Sequence, residues 1–385
     1  MNTNNDISAE AVERAKQTAL SEFHVLELWM PQIIGRANCN LRCKHCYVAE
    51  GGMPGKVMTP EEYVEAIRGM SARPEFNMMG RFDVVFPGME PLLPSNQPWF
   101  RPLISEAVSI NKGSVGITTN GTLLDDEAVE FLSVAASRIK HPFTVNVSLD
   151  GDEATHDQQR GGNGLWKKTT GSIRRLATAG QCNLVTNTTI TSINASALPE
   201  IALISNDCGA RVAAFHPFET ATNSGLRALG LANLVGSIRS LVEVFHDDER
   251  IKHLVLEFEA SNAGTFFHLF EQGVFEGWEL IEDETGFLFL RSKNGSRQFL
   301  VSLMFHPHHF IRTMRLLHNG GFASCRSIAL RGWETVGNWQ MSLPDLKEAC
   351  VPCLSKIWQE YLDSTAELNP DTFEKFNHFI LKGGE

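Results

Sequence analysis

The sequence predicts an α/β fold: a partial (β/α)6 barrel of parallel strands, followed by a smaller C-terminal α+β region. Three observations carry this. Between residues 31 and 216, short apolar runs alternate with helical patterns at intervals of about 30 residues, the spacing of strand–helix–strand units in a parallel sheet. In the run 143–149, Val145, Val147 and Leu149 fall on one face, while Thr144, Asn146 and Ser148 fall on the other. A barrel strand covered by helices outside and lined by polar groups inside reads this way. Beyond residue 260 the pattern changes: 287–291 and 298–305 read as antiparallel strands around the turn Lys293-Asn294-Gly295.

Taken in order, residues 1–30 read as an amphipathic helical lead-in and connector, and 31–36 as the first strand. Thr59-Pro60-Glu61-Glu62 is a capping box with proline at the first helical position, so a helix begins there. Strands two to six fall at 81–86, 115–119, 143–149, 184–190 and 211–216, with helices between them, including 171–179 and 198–206. Further helices are expected at 354–362 and 371–381. The domains expected are thus a lead-in (1–30), a barrel (31–260) and a C-terminal domain (261–385). In parallel barrels the chemistry sits at the C-terminal ends of the strands.

Composition narrows the function. The 385 residues suffice for one domain of about 200–250 residues plus a smaller one. A net charge of −11 argues against a nucleic-acid binder, which needs a basic footprint. No apolar run approaches the ~20 residues of a membrane span, and the polar start Met-Asn-Thr-Asn-Asn-Asp has no signal-peptide core. The expectation is a cytoplasmic protein without a membrane partner. In that compartment eight cysteines point to metal or redox chemistry rather than disulfides.

The most informative stretch follows the first strand: Cys39-Asn-Leu-Arg-Cys43-Lys-His-Cys46-Tyr47. Gaps of three and two residues let one loop aim three thiolates at three corners of an iron–sulfur cube. With no fourth cysteine nearby, one iron stays open. A zinc knuckle or a redox dithiol is the plainer alternative for the triplet alone. Three more segments end successive strands: Phe86-Pro87-Gly88-Met89-Glu90-Pro91, Thr118-Thr119-Asn120-Gly121-Thr122, and Ser148-Leu149-Asp150-Gly151 with His156-Asp157 and Arg160.

Together these motifs resemble the radical S-adenosylmethionine (SAM) superfamily, over roughly residues 30–220, and in particular its sulfatase-maturating and peptide-modifying branch. The resemblance implies a TIM-like radical SAM barrel. It also implies a [4Fe-4S] cluster on Cys39, Cys43 and Cys46 whose open iron binds SAM. An electron then splits SAM into methionine and a 5′-deoxyadenosyl radical that takes hydrogen from a substrate carbon. Tyr47 would pack on adenine, with generic core filling as its rival. Gly88, Met89 and Glu90 resemble the Gly-Gly-Glu-Pro segment that holds the SAM amino group, although Met89 replaces the second glycine. A plain turn is the alternative there and at Asn120-Gly121. Ser148 or Asp150 would reach the ribose, and Arg160 would pair with the SAM carboxylate unless it forms a surface ion pair. An external donor such as flavodoxin or ferredoxin would supply the electron.

The C-terminal region resembles the SPASM/Twitch type of auxiliary domain. Gly320 and Cys325 fit its Gly-x4-Cys element, and Cys350-Val351-Pro352-Cys353 fits the next pair. No cysteine follows Cys353, which favours the single-cluster Twitch variant. His306, His308 and His309 stand where that variant often has another cysteine. Three readings stay open. A histidine such as His308 completes a second iron–sulfur cluster, an open iron binds substrate, or Cys325, Cys350, Cys353 and His308 hold zinc. Cys182 and Cys208 are read as structural. Glu219, just after the sixth strand, is a candidate substrate or proton-accepting group. The expected activity is net oxidation or bond formation on a small natural-product or cofactor precursor. The alternatives are modification of a ribosomal precursor peptide and a non-catalytic iron–sulfur or zinc protein.

Overall fold

The computed structural model describes residues 25–28, 39–46, 57–74, 81–87, 89–218, 226, 228–251, 254–260, 262–282, 288–303, 313–317, 319–323, 337–342 and isolated positions from 344 to 363. One 13-stranded sheet organises them, in the order β13-β12-β11-β1-β2-β3-β4-β5-β6-β7-β10-β9-β8.

Its centre is the expected parallel run. β1 (Val25–Leu28), β2 (Asp83–Phe86), β3 (Val115–Thr119), β4 (Phe143–Ser148), β5 (Asn183–Ile190), β6 (Val212–Pro217) and β7 (Val255–Glu259) lie side by side in chain order. Helices connect them: α1 (Pro60–Ala72), α2 (Gln97–Ile110), α3 (Asp126–Arg138), α4 (Glu153–Arg160), α5 (Leu165–Ala179), α6 (Leu198–Asp207) and α7 (Leu231–Asp247). After α8 (Ala263–Glu271), β8 (Glu279–Glu282), β9 (Leu288–Asn294) and β10 (Arg297–Ser302) extend the β7 edge, β10 parallel to β7 and antiparallel to β9. β11 (Thr313–Leu316), β12 (Gly321–Ala323) and β13 (Gly337–Asn338) extend the β1 edge.

Local rules explain these elements. Thr59 Oγ1 accepts from Glu62 N at 3.2 Å while Glu62 Oε2 accepts from Thr59 N at 2.7 Å, the expected capping box, worth about 1 kcal/mol. In β4, Val145, Val147 and Leu149 are buried against the helices, whereas Thr144 and Asn146 are half-buried on the inner face. The apolar outer layer, for example Phe86 edge-to-face on Phe100 at 6.2 Å, drives sheet and helices together.

Two expectations change. The lead-in and connector over 1–30 contains a strand, β1, paired on both sides. Val25-Leu-Glu-Leu28 is a strand-like alternation, and neighbours on both flanks satisfy its backbone. β7 was not anticipated, although Glu257 and Glu259 alternate with Leu256 and Phe258 as in a half-buried strand; the run is only five residues long. Past residue 260 the same sheet goes on, with β10 paired to β7. The expected first strand at 31–36 and most of the expected helices at 354–362 and 371–381 lie outside the described residues.

Candidate active site

The cysteine loop is pinned from two sides. Lys44 N donates to Gln159 O at 2.9 Å, tying the loop to the last turn of α4. Just beyond that turn Gly161 adopts φ +76°, and a Cβ there would lie 2.6 Å from Arg42 O. Only glycine tolerates both the left-handed backbone and that approach. On the other side, Asn40 Nδ2 donates to Thr122 Oγ1 and Asn120 Nδ2 donates to Asn40 Oδ1, each at 2.9 Å. The loop therefore lies across the C-terminal ends of β3 and β4, held by the two segments that the sequence singled out.

Within the loop, Cys39, Cys43 and Cys46 are all half-buried. Their sulfurs attract N–H donors: Leu41 N lies 3.4 Å and Asn120 Nδ2 3.7 Å from Cys39 Sγ, and Arg160 Nη1 lies 3.7 Å from Cys43 Sγ. Burial pushes the Cys39 thiol up to about 11; the Leu41 amide opposes this, and the charges of Glu90, Cys43 and Cys46 add to it. Three thiolates gathered in such a place need a cationic partner, and an iron–sulfur cluster is one. His45 is also buried in the loop; among the described residues its Nδ1 has no partner. Burial and then Arg160 lower its pKa to about 3, so the imidazole is neutral. The donor set fits the cluster.

Glu90 follows β2 and is fully buried. Its Oε1 accepts from Thr119 Oγ1 at 2.8 Å and Leu92 N at 3.1 Å, and its Oε2 accepts from Asn120 N at 2.8 Å. The carboxyl stitches the end of β2 to the end of β3. Burial raises its pKa to about 7 against these donors and Arg160. Met89 has φ +56°, the left-handed conformation for which the related motif uses glycine.

Ser148 is buried at the end of β4, and among the described residues its hydroxyl has no partner. Asp150 is committed elsewhere. Its Oδ2 lies 2.5 Å from Arg160 Nε, and its Oδ1 accepts from Thr189 N at 3.1 Å. Its backbone N donates to His156 Nδ1, and its carbonyl accepts from Asn194 Nδ2, both at 3.1 Å. Burial alone would raise the Asp150 pKa, but the adjacent guanidinium holds it below the usual carboxylate range. Arg160 is only 7% exposed, so the surface ion pair is excluded.

The sequence reading missed the scaffold behind these groups. Gln159 donates to Thr189 O and accepts from Thr191 Oγ1, Asn194 Nδ2 also reaches Thr189 O, and Thr189 Oγ1 lies 2.9 Å from His216 Nε2. Single polar residues at strand ends carry no periodic signal; Asn40, next to Cys39, was the one legible clue. Cys182 and Cys208 are buried beside β5 and β6, as expected of structural residues. Tyr47, Gly88, Glu219, His308, Cys325, Cys350 and Cys353 lie outside the described residues. Gly320 is described: with φ +81° it sits against Met58 and Trp339, next to β12.

Comparison with known proteins agrees with this geometry. Residues 33–202 match the model of the radical SAM superfamily. The chain is 29% identical over 170 residues to the sporulation killing factor maturation protein SkfB of Bacillus subtilis, covering 44% of this chain and 37% of that protein. It is 29% identical over 177 residues to pre-heme d1 synthase of Dinoroseobacter shibae, covering 44% and 39%. Both matches thus span well under half of the relative. Among solved structures, Streptococcus suis SuiB bound to precursor peptide SuiA superposes with a TM-score of 0.59 at 16% identity, covering 86% of this chain and 66% of that one. SuiB has also been solved bound to S-adenosylmethionine, with a TM-score of 0.58. The barrel segment that carries the cysteine loop and the β2, β3 and β4 strand-end motifs is a radical SAM domain.

Proposed function

We propose that this chain is an enzyme that cleaves SAM reductively and abstracts hydrogen from a substrate carbon. The observation that carries the reading is the three-cysteine loop, pinned by Asn120 and the end of α4 across the strand ends. A [4Fe-4S] cluster on Cys39, Cys43 and Cys46 would supply the electron that breaks the SAM sulfonium bond and yields the 5′-deoxyadenosyl radical. The chain's own part is binding, orientation and exclusion of water. Ser148, whose hydroxyl has no partner among the described residues, would bind the ribose, and Tyr47 the adenine. Gly88, Met89 and Glu90 would shape the amino-group site, with Glu90 fixing the β2 and β3 ends rather than standing free. Asp150 would act through Arg160.

Beyond residue 260 we assign a Twitch-like unit in which Cys325, Cys350 and Cys353, with His308 or substrate as fourth ligand, hold a second cluster. Glu219 would face the substrate. Such a unit favours net oxidation or bond formation. The substrate assigned is a small natural-product or cofactor precursor, a reading supported by the similarity to a heme-precursor synthase. Similarity to SkfB supports the second reading, a ribosomal precursor peptide. A flavodoxin or ferredoxin would be the electron donor.

The test is anaerobic reconstitution with iron and sulfide, then dithionite and SAM. The expected product is 5′-deoxyadenosine, lost in Cys39→Ala. An iron-loaded wild type that leaves SAM intact would refute the reading.

A further inference from the structure

We propose that Arg160 and Asn120 are positioning residues that set the reduction potential of the cluster by donating N–H groups to the sulfurs of Cys43 and Cys39. This rests on the reading of Cys39, Cys43 and Cys46 as cluster ligands.

The two donors are held in place. Arg160 lies in the last turn of α4, buried, with Nη1 3.7 Å from Cys43 Sγ and Nε 2.5 Å from Asp150 Oδ2. Asp150 is itself fixed through Thr189, His156 and Asn194, so the guanidinium has little freedom to turn away from the sulfur. Asn120 has its orientation decided by its neighbours. Its Oδ1 accepts from Thr122 N at 2.9 Å, and a backbone amide can only donate. The Nδ2 end must therefore face the loop, where it is shared between Asn40 Oδ1 at 2.9 Å and Cys39 Sγ at 3.7 Å.

The consequence is electrostatic. Reduction adds one negative charge to the cluster and its thiolates. An N–H dipole aimed at a ligand sulfur, and still more a fixed buried cation, stabilises that charge and raises the potential. Cys43 has a cation beside it, Arg160. Cys39 has two neutral donors, Asn120 Nδ2 and Leu41 N. Arg160 therefore contributes more than Asn120. This differs from the role that the sequence resemblance gives Arg160, the SAM carboxylate, and the two roles separate experimentally.

The test is an EPR-monitored redox titration of anaerobically reconstituted protein without SAM, in a Cys350→Ala/Cys353→Ala background so that one cluster reports. Iron and sulfide counts are taken on every variant. Arg160→Gln is expected to keep its iron and lower the potential by about 59 mV or more, a tenfold change in the one-electron equilibrium. Asn120→Ala is expected to shift it in the same direction by less. A fully loaded Arg160→Gln with unchanged potential, above all one with weakened SAM binding, overturns the proposal in favour of the carboxylate role. Should Arg160→Gln fail to load iron, loaded Asn120→Ala decides, and an unshifted potential there also overturns it. If the iron survives replacement of Cys39, Cys43 and Cys46 by alanine, the ligand assignment itself falls.

Discussion

Glu90→Gln sets burial directly against hydrogen bonding. A carboxylate removed from water suffers a penalty of several kcal/mol, and three good donors recover only part of it. Glu90 has both: full burial, and donors from Thr119, Leu92 and Asn120. Burial dominates, so the pKa rises from 4.5 to about 7. Between those values the folded protein holds a proton that the unfolded chain has released. Stability from this group is fully present below pH 4.5 and lost as pH rises through 7. The 2.5-unit gap amounts to about 3 kcal/mol. Glutamine keeps the shape and stays neutral at every pH, but its Nε2 amide replaces an oxygen opposite a backbone N–H that only donates, a cost of about 1–3 kcal/mol that does not vary with pH. Urea unfolding of wild type and Glu90→Gln, prepared identically at pH 5 and pH 8, should show the variant less stable at the acid end by that cost. From pH 5 to pH 8 the difference should move in the variant's favour by about 2–3 kcal/mol. Infrared spectra should show a protonated carboxyl band in wild type at pH 5 that the variant lacks. A difference that does not move between pH 5 and pH 8 would mean that the donors win and that Glu90 is an ordinary low-pKa carboxylate.

Other substitutions probe the same framework. Met89→Gly and Met89→Ala lose the same side-chain packing, so their difference isolates the φ +56° backbone; thermal unfolding should favour the glycine by about 1 kcal/mol, and equal stability would remove the strain. Gly161→Ala places a methyl 2.6 Å from Arg42 O at φ +76° and should cost about 2 kcal/mol or more, with less iron bound per chain after reconstitution. Cys350→Ala should still release 5′-deoxyadenosine yet yield no substrate product; wild-type product yield would remove the second cluster from the reaction. Thr59→Ala, by contrast, should lower stability by about 1 kcal/mol through the lost cap and leave SAM cleavage unchanged, which a paired melt and turnover assay reads out.

What the sequence made legible follows from how each feature is encoded. The parallel core was readable because each strand is an apolar run with turn residues at its ends, and Thr59 to Glu62 announced its helix by residue type. The antiparallel pair β9 and β10 was readable from the turn at Gly295, which adopts φ +62°. β1 and β7 were not: one is four residues long, and the other only five. At the site, the motif residues came together as their order implied, but their division of labour did not follow. Ser148 and Asp150 are two residues apart on one strand end, yet one has a hydroxyl without a partner among the described residues and the other is sealed against Arg160. Only a partner ten residues further on, in the last turn of α4, distinguishes them, and that partner is a matter of three-dimensional placement.

The Asp150–Arg160 pair also bears on why the site is built as it is. A buried ion pair is a poor source of stability, since desolvating both charges offsets most of their attraction. Yet three hydrogen bonds are spent on keeping Asp150 in place, and only one edge of the guanidinium is neutralised by it. The other edge faces Cys43. A lone buried arginine beside the loop would be free to swing toward solvent; a buried aspartate behind it prevents that. The arrangement makes sense as a fixed positive charge delivered to one thiolate. The price in folding energy is then a cost of function, met by the apolar layer under Val145, Val147 and Leu149.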